Sequence, residues 1–239
     1  MGRRFVVVAG AVVAILVVVP ALAASQPYRV VHASPVARSE SAVFDVIGHI
    51  DRSLRTTRYV HATHIDEAAG RFDFDCSGMA TWVLARSAPA AHDAVMRRNG
   101  RRRPVASDYY DVISQAPTTN AHDGWLRVAH ARDLKPGDLI AWRRPQAIVS
   151  SNTGHVLFVV AAPQQVDREG RRFLVRVADA TSIPHGDDTR PQRHASGFGY
   201  GTIALFLDHP EGQVVAYGWH GLATRIDFRT PIAIGRAMQ

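Results

Sequence analysis

Cys76 is the only cysteine in a chain of 239 residues. A thiol reacts as its thiolate, and a helix N-terminus favours that form through unpaired N–H groups and the positive end of the helix dipole. The stretch Phe72-Asp73-Phe74-Asp75-Cys76-Ser77-Gly78 builds such a position. Alternation from Arg71 to Asp75 gives way to helical spacing at Met79, Trp82 and Val83, and aspartate is a favoured N-cap residue. The spacing therefore predicts Cys76 in the first turn of a helix, as a nucleophile. An inert buried cysteine is the plainer alternative. It would sit more naturally further along the apolar face, with Met79 and Val83.

A nucleophilic cysteine works with a base. The chain carries 12 histidines, so choosing one needs a geometric reason. His155 opens an apolar strand after Thr153-Gly154, and its face continues through Leu157 and Val159. The return strand puts Phe173, Val175, Val177 and Asp179 on one face, because side chains alternate with period two. A hairpin symmetric about Asp167 pairs Val159 with Val175, Leu157 with Val177 and His155 with Asp179. A carboxylate placed there orients the imidazole and stabilises its protonated form. A slip of one residue would turn Asp179 to the other face. The alternative role for Asp179 is to start the turn Ala180-Thr181-Ser182.

Several elements must hold these groups. Val43, Val46, Ile47 and Ile50 predict a helix over Ser41–Leu54. Residues 87–124 are rich in Pro, Arg, Asn and Asp, with one short helix around Tyr109–Gln115. Strands are predicted at Trp125–Val128, at Leu139–Trp142 after the turn Lys135-Pro136-Gly137-Asp138, at His155–Val160 and at Phe173–Val177. Later ones follow at Thr202–Leu207, Val214–Tyr217 and Ile232–Ile234. Helices followed by a meander of strands make an α+β domain, mostly antiparallel, spanning 41–239. The stretch Gly197-Phe198-Gly199-Tyr200-Gly201 lacks the flanking strand and helix of a phosphate loop, and reads as a flexible loop at the cleft.

The N-terminus reads as an export signal over 1–23. Arg3 and Arg4 precede the apolar run Phe5–Val19, and Ala21-Leu22-Ala23 supplies a small-residue cleavage pattern. An uncleaved anchor is the alternative, but spanning takes about 20 apolar residues and Pro20 interrupts this run. A polar lead-in, 24–40, follows. The expected product is periplasmic or extracellular, without stable membrane insertion. A single cysteine excludes an internal disulfide, and none lies where a lipid anchor would attach.

The formal net charge is +7, favouring acidic partners such as wall polymers. Arg97, Arg98, Arg101, Arg102 and Arg103 surround the turn Asn99-Gly100 and read as a solvated loop rather than a polyanion site. No nucleic-acid motif is present. His61 and His64 with Asp66, and His185 with Asp187 and Asp188, lack defined spacing to a further ligand and read as polar loops. No metal and no cofactor is expected.

Three motifs in order carry a family resemblance: Asp75-Cys76-Ser77-Gly78 at a helix start, Leu134-Lys135-Pro136-Gly137-Asp138-Leu139 before a strand, and Gly154-His155-Val156 opening the next. Together with Tyr59 in Thr57-Arg58-Tyr59-Val60, the chain resembles the NlpC-type bacterial cell-wall cysteine peptidases. The resemblance covers Tyr59 to Asp179, about half the chain. It implies a papain-like α+β fold and a Cys76–His155–Asp179 triad. It also implies an oxyanion or substrate-binding rim at Tyr59, with Asp75 and Ser77, and amide bonds of peptidoglycan as substrate. The chain departs from the family in having aspartate where the third residue is usually histidine, and His61-Ala62-Thr63 where an aromatic-Gly-Gly stretch is usual. The altered His61-Ala62-Thr63 segment and the extra residues between Trp82 and Trp125 keep open an amidase or acyltransferase on lipid or small-molecule amides. A catalytically silent wall-binding module is a third reading, against which the complete Cys-His-Asp set argues.

Overall fold

The computed structural model describes residues 42–100, 102–190 and 195–239, all within one compact unit, Arg38–Gln239. The signal segment, the lead-in and Arg101 lie outside the described residues. The protein is α+β, with mostly antiparallel strands.

Helix α1 (Ala42–Ser53) buries Val43, Ile47 and Ile50 at helical spacing. Three short strands follow, β1 (Thr56–Arg58), β2 (His64–Asp66) and β3 (Arg71–Asp73), in a small sheet of order β1-β3-β2 that the sequence pattern did not reveal. Helix α2 (Cys76–Ser87) is buried along most of its length, with the small residues Ser77, Gly78 and Ala80 on that surface. It stops at Ala88 because Pro89 disfavours helical backbone before it and starts the next helix, α3 (Pro89–Arg98). Helix α4 (Ala106–Gln115) matches the short helix expected in this stretch. Helix α3 does not: its inner face is only Ala91, Ala94 and Val95, too weak a stripe to stand out among arginines.

The remaining strands are β4 (Trp125–Arg127), β5 (Leu139–Arg143), β6 (Gly154–Val159), β7 (Gln164–Gln165), β8 (Arg172–Thr181), β9 (Gly197–Leu207), β10 (Val214–Gly218), β11 (Phe228–Arg229) and β12 (Ile232–Ala237). They form one sheet of order β11-β10-β9-β8-β6-β5-β12-β4, with β7 paired to β8. Residues 197–201, expected to be loop, are the first half of β9, paired residue for residue with β8. One core unites the helices with Leu139, Val156, Phe158 and Ala178. A second unites Ile140, Trp142, Leu157, Val159 and Val177. Alternation along β5 and β6 thus divides their residues between two cores.

The hairpin of β6 and β8 differs from its expected register. Phe158 pairs with Ala178 and Val159 with Val177, a shift of two residues from symmetry about Asp167. An even shift keeps every side chain on its face. Asp179 therefore stays on the face of His155, as a diagonal rather than a direct neighbour.

The Pro-Gly-Asp turn is anchored by Asp138, only 1% exposed. Its carboxylate accepts the Lys135 N–H at 2.8 Å and two Arg236 guanidinium bonds at 2.8 Å, tying β5 to the last strand. Asp138→Ala strands these donors and is expected to cost about 2–3 kcal/mol in urea unfolding. Asp133→Ala, at an exposed position, should stay within about 0.5 kcal/mol.

Candidate active site

Asp75 caps α2 as its spacing predicts. Its Oδ1 accepts the Gly78 N–H at 2.8 Å and the Ser77 hydroxyl at 3.0 Å. Its Oδ2 accepts the His61 Nδ1–H at 3.0 Å and a bond from Arg103. Burial opposes ionisation, but His61, the Gly78 amide and Arg103 hold the carboxyl below its usual range. Asp75 and Ser77 were expected at the substrate rim. They are 4% and 2% exposed, and their side-chain oxygens are taken up by the helix start, by each other, by His61 and by Arg103. Their work is to hold the turn that carries Cys76.

Cys76 is 5% exposed, at the first position of α2. His155 comes toward it from the start of β6, near enough that Cys76 is one of the two groups that raise the pKa of its ring. Gly154 precedes it at φ +151, where a Cβ would lie 1.8 Å from the Trp142 carbonyl oxygen. Only glycine lets β6 begin so close to β5. His155 Nε2 donates to Asp179 Oδ2 at 2.7 Å, since a carboxylate only accepts. That leaves Nδ1 for the sulfur. Trp142 and Trp219 flank the ring, at centroid distances of 5.4 and 5.2 Å.

The electrostatics follow from these contacts. Burial alone would disfavour a charged imidazole, but the Cys76 sulfur and Asp179 outweigh it and push His155 up from 6.5 to about 10. Asp179 is 0% exposed, and although burial opposes its charge, His185 and His155 hold it far below the usual carboxylate range. Tyr59, at the end of β1, is half-buried. Burial, with the negative charge of Cys76 and Asp75, raises its phenol well above 10 and keeps it a neutral donor.

The sequence pattern missed four partners here. His185 lies in the 182–190 segment, read as an ordinary polar loop, yet its side chain is fully buried and its Nε2 lies 3.3 Å from Asp179 Oδ2. Arg190, from the same segment, donates to Asp179 Oδ1 at 2.9 Å and to the Asp179 carbonyl at 3.0 Å. Arg103, read as part of a solvated cluster, sits on Asp75 and Ser77, while Arg97 and Arg98 pair with Asp123 and Asp111. His61, weighed as a metal ligand, faces Asp75. No local signal marks any of the four. Among the described residues no group of three or more His, Cys, Asp or Glu side chains is placed to hold a metal ion, and no helix is long and apolar enough to cross a membrane.

The chain matches no family model, no curated protein and no solved structure.

Two expectations follow from the charges. A ring raised from 6.5 to about 10 contributes stability that is fully present below 6.5 and is lost as pH climbs through 10. Asp179→Asn should therefore flatten the decline in unfolding free energy across that window, measured by urea titration at stepped pH. The Arg103 guanidinium, held on Asp75 and Ser77 at either side of Cys76 in the chain, should attract an anionic reagent. A unit charge a few ångströms away across bulk-like water is worth about 1 kcal/mol. Arg103→Gln is expected to lower the iodoacetate-to-iodoacetamide rate ratio at Cys76 about fivefold, with the iodoacetamide rate held within about twofold.

Proposed function

We propose that the protein is a cysteine hydrolase of papain-like α+β type, acting on amide bonds through Cys76, His155 and Asp179. The observation that carries this reading is His155 itself, whose Nε2 lies 2.7 Å from a buried carboxylate while its ring feels the charge of Cys76. A nucleophile, a base in contact with it and a third group orienting that base are the elements of acyl transfer.

In the proposed cycle the Cys76 thiolate adds to the amide carbonyl carbon. The Cys76 backbone N–H and the Tyr59 hydroxyl stabilise the oxyanion. Collapse breaks the C–N bond as the His155 imidazolium gives its proton to the departing amine. The neutral ring then takes a proton from water, whose hydroxide adds to the thioester. The carboxylic acid leaves, the thiolate returns and His155 regains its charge. Asp179 stays ionised throughout and keeps Nε2–H fixed.

The substrate proposed first is a peptide bond of peptidoglycan, on the strength of the motif resemblance, in a protein exported by its N-terminal signal. A second reading, an amidase or acyltransferase on lipid or small-molecule amides, draws on Trp219 against His155 and on Ile183, 62% exposed, whose carbonyl accepts the Trp219 indole N–H at 3.1 Å.

Wall fragments incubated with the protein should yield new amine and carboxylate termini, with Cys76→Ala giving the profile of untreated fragments. Asp179→Asn is expected to retain about 10⁻² to 10⁻⁴ of the rate. Turnover of simple acyl amides with wall fragments untouched would select the second reading. Identical profiles for the protein and Cys76→Ala on both substrate classes would end the hydrolase assignment.

A further inference from the structure

The segment 182–190 folds back over the face of the sheet that carries Asp179. Asp179 pairs with Gly199, Val177 with Gly201 and Thr181 with Gly197. Paired residues point the same way, and alternate residues share a face. The three glycines of β9 therefore lie along one line, on the side of Asp179.

That line is a trough, and two side chains fill it. A Cβ at Gly201 would lie 2.1 Å from the His185 ring, and one at Gly199 would lie 2.8 Å from the Arg190 side chain. Neither neighbour has room to give. His185 is stacked on Trp219 at 4.2 Å, with Nδ1 3.1 Å from the Trp219 carbonyl oxygen. Arg190 is 2% exposed at its side chain and donates to the Gly197 carbonyl at 2.9 Å and to Asp188. Asp188 in turn accepts the His185 backbone N–H at 2.8 Å.

Both partners of the His185 ring, a carbonyl oxygen and a carboxylate, only accept hydrogen bonds. Each nitrogen must then donate, so the ring carries two hydrogens and a positive charge. The charged groups of this cluster are then His185, Arg190 and His155 against Asp179 and Asp188. Asp187, also in the segment, is turned away to Arg176 and Thr202.

We propose that residues 182–190 form a clasp in which His185 and Arg190 are positioning residues: they fix the Asp179 carboxylate as an anion for His155, and Gly199 and Gly201 admit them. The proposal rests on the Cys76–His155–Asp179 reading of the site but not on any substrate. It assigns a purpose to the alternating glycines and to a histidine that touches neither the nucleophile nor its base.

The test is the rate of Cys76 alkylation by iodoacetamide against pH, in the full chain, with melting temperature measured alongside. Loss of a clasp cation lets the Asp179 carboxylate turn or take a proton, so His155 loses its anionic partner and supports the Cys76 thiolate less well. Arg190→Gln and His185→Gln are each expected to move the onset of labelling up by about one pH unit, about a tenfold slower rate on the acid limb. Arg190→Lys should restore most of it. Lower melting temperatures with an unchanged labelling profile would reduce the clasp to ordinary packing and overturn the proposal.

A measurement on the unaltered chain covers variants that fail to fold. Long-range ¹⁵N–¹H spectra of histidine-labelled protein should show both His185 nitrogens protonated at neutral pH. A singly protonated ring would overturn the proposal. Absence of hydrolysis by the unaltered chain would strike only at the proposed function, since neither readout involves turnover.

Discussion

A carboxylate without exposure to water is the constraint around which the rest of this structure is organised. Removing an ionised aspartate from solvent costs several kcal/mol unless its lone pairs are met by donors of opposite charge. Asp179 meets that demand with His155, His185 and Arg190, drawn from β6 and from the segment beyond β8. The need for those donors ties together parts of the chain far apart in sequence. It brings His155 to the end of the sheet where α2 begins, and it folds the 182–190 segment onto the glycine face of β9.

Asp75 presents the same problem with a different answer. It lies next to Cys76, yet all its acceptor capacity goes to the α2 amide at Gly78, to Ser77, to His61 and to Arg103. One buried acid thus holds the His155 ring and the other fixes the turn that carries Cys76. The two are met by different cations, so a change at Arg103 and a change at Arg190 act on opposite sides of Cys76. The flanking tryptophans complete the arrangement by excluding water from one side of the imidazole, which strengthens the interactions that remain.

What could be read from the sequence was what depends on local pattern. The cap at Asp75 and the helix start at Cys76 follow from a few adjacent residues. The facing of His155 and Asp179 survived an error in register because the error was even, and period-two alternation forgives even slips. Residues 182–190 gave no such signal: His185 and Arg190 reach a buried carboxylate only through tertiary folding, and charged residues in an irregular stretch look solvated. The glycines at 197, 199 and 201 were read as flexibility. Their spacing of two was in fact the mark of a strand whose face is emptied to admit another segment. Helix α3 went unseen because two alanines and one valine are all that make its inner face.

The decisive quantity is the charge on His155 in the resting protein. Its imidazole resonances, followed by NMR from pH 5 to pH 11 in the unaltered chain, report that charge directly. The account predicts a ring that stays protonated through neutrality and titrates toward about 10. A His155 that loses its proton near 6.5, as an isolated histidine does, would mean that Cys76 and Asp179 do not outweigh its burial, and would contradict the account at its centre.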